Sequence, residues 1–143
     1  MAEHYILIGE DDSDDRYLIQ SAFEENSFND QLQFFSDGVE IMEQLEAIRA
    51  GNTGSKYPRF ILMDLNMPKR DGKETLKLIK ENKFFQKIPV IIFSTANSEQ
   101  EMLRCYELGA NSYIAKPNNF EGLVKLIAVI RSYWLDTSLV PSS

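Results

Sequence analysis

The chain has 143 residues, 43% hydrophobic and 26% charged, with a formal net charge of −7, one cysteine and one histidine. That is one domain with enough chain for a single core; it excludes a disulfide framework, leaves too few soft ligands for a structural zinc site, and is too acidic for general nucleic-acid affinity. No apolar run approaches the roughly 20 residues of a membrane span, and MAEHYILIGEDD has neither the basic region nor the cleavage site of a secretion signal, so a cytoplasmic protein with no membrane or nucleic-acid partner is expected.

Tyr5–Ile8 is a short apolar run read as a buried strand. Ser13 reads as a helix N-cap, with Asp14 and Asp15 placed well for the helix dipole, and Leu18, Ile19, Ala22 and Phe23 recur at helical spacing. Gln31–Ser36 is a second, more polar strand. Asp37–Arg49 is a second helix, with Val39, Met42, Leu45 and Ile48 on one face. Ala50–Arg59 holds two glycines, Asn52, Ser55 and Pro58 and reads as a loop. Phe60–Met63 is a third strand, Lys73–Asn82 a helix, Val90–Phe93 a fourth strand, and Glu99–Leu108 a helix that Gly109 stops. Ser112–Ala115 is a short fifth strand. Leu123–Trp134 is a last helix, with Leu123, Leu126, Ile127, Ile130 and Trp134 on its main apolar face.

Alternating buried strands and helices imply an α/β fold: a five-stranded parallel, doubly wound sheet with five helices on its two faces. The polar second strand suits an edge, and the flavodoxin-like order 2-1-3-4-5 puts it there, with a crevice between strands one and three. Residues 1–135 form the domain and 136–143 a short tail. In such sheets ligands gather outside the carboxyl ends of the strands. Those ends carry Glu10-Asp11-Asp12, Asp64, Ser94-Thr95 and Lys116-Pro117. Clustered carboxylates repel one another unless a cation joins them. Oxygen ligands alone favour Mg²⁺ or Mn²⁺ over zinc. A carboxylate can also accept a phosphoryl group covalently. Asp64 is then the candidate nucleophile, Glu10 and Asp11 the metal carboxylates, and Lys116 and Ser94 the groups that neutralise and bind phosphoryl oxygens.

The runs ILIGEDDSDD, ILMDLNMPKRDG, PVIIFSTAN and NSYIAKP, in that order and on those strand ends, resemble the receiver domain of two-component response regulators. The resemblance covers residues 5 to 135. It implies that Asp64 is the phosphoacceptor, that Asp11 ligates Mg²⁺ directly and Glu10 through water, and that the carbonyl of Asn66 is a further ligand. It also implies that Ser94 and Tyr113 are the switch pair, and that Lys116 precedes a cis peptide bond to Pro117. The phosphoryl donor would be external, since no P-loop is present: the implied partner is a sensor histidine kinase. The long segment from Ile48 to Arg59, the tail YWLDTSLVPSS and the absence of a DNA-binding output segment are similar to the single-domain regulators paired with phytochrome-type kinases. The chain would then be a signalling phosphoacceptor that catalyses only its own phosphorylation and slow dephosphorylation. Val124, Ala128 and Leu135 form a second stripe on the last helix, read either as a wide core face or, in preference, as a homodimer interface through helix four, strand five and helix five.

Plainer readings stand beside these. Asp12 and Asp15 read as helix-start charges, Asp71-Gly72 as a turn, Cys105 as a small helix residue without chemistry, and His4 as an edge residue without a role. Asn66 and Ala96 flank the site and imply an intermediate phosphoryl lifetime. The rival functions are a haloacid-dehalogenase-type phosphatase, whose acidic pair comes last rather than first, and a pseudo-receiver, which loses the acceptor or the lysine.

Overall fold

The computed structural model describes residues 5–95 and 98–141; His4 and Ala96 lie outside them. Five strands, β1 (Tyr5–Gly9), β2 (Gln31–Phe35), β3 (Ile61–Met63), β4 (Val90–Ser94) and β5 (Ser112–Ala115), alternate with five helices, α1 (Ser13–Glu25), α2 (Gly38–Arg49), α3 (Gly72–Glu81), α4 (Glu99–Glu107) and α5 (Phe120–Arg131). All strand pairs are parallel, in the order β2-β1-β3-β4-β5. The expected doubly wound sheet is therefore present, with the polar β2 at one edge.

The central strands are buried on both faces, so their apolar runs are continuous. Alternate residues feed two cores, as a pleat with a period of two requires. Leu7, Ile61, Met63, Val90 and Ile92 pack with Ile41, Leu45, Leu76, Ile79 and Cys105 from α2, α3 and α4. Ile6, Ile8, Leu62, Ile91 and Phe93 pack with Ile19, Phe23, Leu123, Ile127 and Ile130 from α1 and α5. Cys105 is thus a core residue. Ile41, which the helical pattern had not singled out, carries the α2 contact with Leu45, while Leu18 points outward.

Each helix begins on a side chain that accepts a backbone N–H: Asp12, Asp37, Asp71, Ser98 and Asn119. The expected Ser13 cap is corrected. Asp12 is the last residue with extended backbone, its Oδ1 accepts from the N–H of Asp14 and Asp15, and Ser13 is already helical. Asp71-Gly72 is likewise a helix start. A Cβ on Gly72 would lie 2.2 Å from the carbonyl oxygen of Asp64, so only glycine lets α3 begin against the end of β3.

After α5 the chain continues into a π-helical turn, Ser132–Thr137, beyond the expected end of the domain at 135. Arg131 ties this turn down by bonding Asp136 and Asp30. Val124 and Leu135 pack against the α1/α5 core and Ala128 is half-buried, so this stripe widens the core face. Among the described residues, no helix is long and apolar enough to cross a membrane.

Candidate functional site

The register of the sheet builds the site. Gly9 pairs with Met63, and the N–H of Asp64 donates to the carbonyl of Gly9 at 2.9 Å. Glu10 and Asp64, the next residues along, therefore stand side by side. On the other flank Ser94 pairs with Ala115, and the N–H of Lys116 donates to the carbonyl of Ser94. Lys116 then reaches back across β4 and β3.

The ammonium of Lys116 has three N–H groups and three carboxylate acceptors: Asp64 Oδ2 at 2.7 Å, Glu10 Oε1 at 2.8 Å and Asp15 Oδ2 at 3.3 Å. Glu10 and Asp64 are buried, at 2% and 9% exposure. Their other oxygens also have partners. Glu10 Oε2 accepts from the N–H of Asp12, and Asp64 Oδ1 from the N–H of Asn66. Burial by itself pushes the Lys116 pKa down, but its bonds to Asp64 and Glu10 outweigh burial and hold it above the ordinary lysine value. Burial raises the Glu10 pKa, opposed by Lys116. The pocket is therefore a desolvated ionic network.

Ser94 is fully buried at the end of β4. The phenol of Tyr113 on β5 lies near it, its pKa raised by burial and then by Cys105 and Glu101, and lowered by the Ser94 side chain. Asn66 and Asp11 are exposed on the rim. Of the residues expected at this site, Lys116 touches both Glu10 and Asp64, Ser94 and Tyr113 are neighbours, and Asp11 is exposed. Among the described residues, no three acidic, His or Cys side chains are grouped as a shell for a metal ion; the buried acids gather around an ammonium instead. Every described peptide bond is trans, including Lys116-Pro117. This corrects the expected cis bond: trans is the intrinsic preference by about 0.5–1 kcal/mol, and Lys116 reaches both acids in that form.

Two residues escaped the sequence reading. Asp15, taken as a helix-start charge, contacts Lys116. Arg16 donates through Nε to the carbonyl of Glu10 and through Nη2 to Ser36 Oγ, each at 2.6 Å, and so pins the acidic loop to the end of β2. Helical phase supplied a weak signal for both, since residues 15 and 16 sit one turn before Ile19 on the inward side.

Comparison with known proteins agrees with this geometry. The response regulator receiver domain profile matches residues 6–128. The chain is 35% identical over 138 residues to the response regulator Rcp1 of Synechocystis, covering 96% of this chain and 93% of that one. Rcp1 solved in its Mn²⁺-bound form is superposable with a TM-score of 0.86 at 34% identity, covering 98% of this chain and 100% of the other. The phosphorylated cyanobacterial phytochrome response regulator RcpA gives 0.88 at 34% identity, with 99% and 100% covered. A response regulator in red light signaling of R. palustris, RPA3017, gives 0.90 at 28% identity, again with 99% and 100% covered. The phosphatase and pseudo-receiver readings find no support in these matches. With a receiver profile over most of its length and a buried acid–lysine pocket at its strand ends, this chain belongs to the response regulator receiver domains.

Proposed function

We propose that the chain takes a phosphoryl group from the phosphohistidine of a sensor histidine kinase onto Asp64 and works in the cytoplasm as a signalling switch. The observation that carries this reading is the Lys116 ammonium bridging buried Glu10 and Asp64. An oxygen of Asp64 attacks phosphorus, the P–N bond breaks, and its electron pair leaves on the imidazole nitrogen. Attack of water on phosphorus later breaks the P–O bond and restores the carboxylate. Catalysis is limited to this gain and loss of the chain's own phosphoryl group.

The donors fit a hard divalent ion, because all are oxygens. Mg²⁺, or Mn²⁺, would be held by Asp11, Asp64 and the carbonyl of Asn66, with Glu10 beside them. When bound it supplies positive charge against the phosphoryl oxygens. Lys116 donates to one phosphoryl oxygen and Ser94 to another. Movement of Ser94 toward the new anion changes the surroundings of Tyr113, and the α4–β5–α5 face repacks.

Similarity to RcpA, a cyanobacterial phytochrome response regulator, favours a phytochrome-type kinase as partner, and similarity to RPA3017, which acts in red light signaling, agrees with a light-linked partner. Leu103 and Tyr106 on α4 and Val129 on α5 are exposed and suit a homodimer through that face; they replace Val124 and Leu135, which the core absorbs. Incubation with acetyl phosphate and Mg²⁺ should give one phosphoryl adduct by intact mass. Asp64→Asn should give none, and a full adduct on that variant would overturn the assignment. Sedimentation at high micromolar concentration, with and without phosphorylation, tests the dimer; a monomer in both states removes it.

A further inference from the structure

We propose that Asp15 is a positioning residue that anchors Lys116 from the α1 side and restrains phosphoryl uptake at Asp64. The inference rests on reading Asp64 as the phosphoacceptor. Lys116 has as many carboxylate partners as N–H groups, so a phosphoryl oxygen on Asp64 can gain the ammonium only if another acceptor gives it up. Asp64 gives up its own carboxylate charge on phosphorylation, and of the two partners that stay anionic, Glu10 and Asp15, Asp15 is the one whose bond yields. At 3.3 Å it is the longest of the three, and the Asp15 side chain is 42% exposed against 3% for Glu10 and 10% for Asp64. Water can therefore take over from Lys116 at Asp15, whereas at Glu10 the loss leaves a buried, unpaired charge.

The surroundings suit such a release. Asp12 Oδ1 holds the N–H of Asp15, so the backbone stays fixed while the side chain turns. Asp15 and Lys116 line one cavity of about 190 Å³ together with Leu18, Phe93 and Phe120, which gives the carboxylate room to leave without disturbing α1. Before uptake, Asp15 occupies an N–H of the ammonium that a phosphoryl oxygen would otherwise take. After uptake, it is a like charge near a new anion. Both effects oppose the phosphorylated state.

The test is uptake from acetyl phosphate at saturating Mg²⁺, followed by intact mass. An oxygen of Asp64 attacks phosphorus, the P–O bond to the acetyl group breaks, and acetate leaves with the electron pair. Asp15→Asn should reach half-phosphorylation at about fivefold lower donor concentration at low ionic strength, the factor expected for unit charges a few ångströms apart in a water-like medium. That advantage should shrink as salt is raised, since half-exposed charges are screened. Asp15→Glu should restore wild-type uptake. Asp14→Asn, a neighbouring carboxylate with the same effect on net charge, should change nothing. Asp15→Ser provides a second removal of the charge should the amide disturb α1, and thermal midpoints monitor folding. Equal or slower uptake by Asp15→Asn, a gain independent of salt, or the same gain from Asp14→Asn would each overturn the proposal. An adduct on Asp64→Asn instead removes the acceptor reading, and this appears in a different variant.

Discussion

Two half-buried lysines stand at opposite ends of the sheet and have opposite proton affinities. Lys116 follows β5 at the carboxyl ends of the strands and donates to three carboxylates. Lys80, in the last turn of α3 at the other end, donates to the carbonyls of Gln86 and Ile88, at 2.9 and 2.7 Å. Desolvation lowers the pKa of both. At Lys80 neutral dipoles do not offset it, and the value falls to about 8. At Lys116 the anions do, and the value rises. The formal charge of the acceptors, more than burial, decides whether a desolvated lysine keeps its proton. The acid–lysine end is therefore a network of charges, and the other end is a single lysine held on neutral carbonyls that straps α3 to the segment before β4.

Breaking the network should cost most. Lys116→Met leaves Glu10 and Asp64 buried beside each other without a cation, and urea unfolding should show a loss of about 3 kcal/mol. Glu10→Gln in the same chain should recover part of it; no recovery would show that the cost lies in packing. Gly72→Ala moves the backbone under Asp64 without touching a charge. Its Cβ would meet Asp64 at 2.2 Å, for a loss of about 2 kcal/mol and slower phosphoryl uptake. Asp12→Ala removes the α1 cap and should cost about 1 kcal/mol; an unchanged urea midpoint would mean that water replaces the cap.

Lys80→Met should have the smallest effect at neutral pH, within about 1 kcal/mol, and it sharpens the contrast through pH. The folded value, about 8, lies below the unfolded value of 10.5. Between those values the unfolded chain holds a proton that the native chain lacks, so Lys80 makes stability rise with pH. Wild type should therefore gain on Lys80→Met as pH rises from about 8 toward 10.5. A constant difference in urea midpoint across that window would show that Lys80 keeps its charge.

Much of the site was legible in the sequence because of where it lies. The apolar runs Tyr5–Ile8, Phe60–Met63 and Val90–Phe93 mark strands buried on both faces, so the polar residues that follow them had to be strand-end residues. Glu10, Asp64, Ser94 and Lys116 were found that way. The reading was poorer where two local signals competed. Asp12 and Ser13 are both good caps, and only backbone geometry separates them. Val124 and Leu135 lie on a helix with two apolar stripes, and only the position of the sheet shows that both pack inward. Asp15 carried the same local signal as Asp14, yet Asp15 touches Lys116 while Asp14, in the same first turn, is exposed.

The sequence by itself determined the alternation of strands and helices, the edge position of β2 and the set of polar groups on one rim, since these follow from hydrophobic period and from burial of parallel strands on both faces. The tertiary structure decided which of those groups touch. Lys116 meets Glu10 and Asp64, more than 50 residues away in the chain, only because β4 and β3 lie between β5 and β1, and it meets Asp15 only because α1 and β5 lie close enough for their side chains to reach. Contacts of that kind depend on strand order and helix rotation, and no local pattern encodes either.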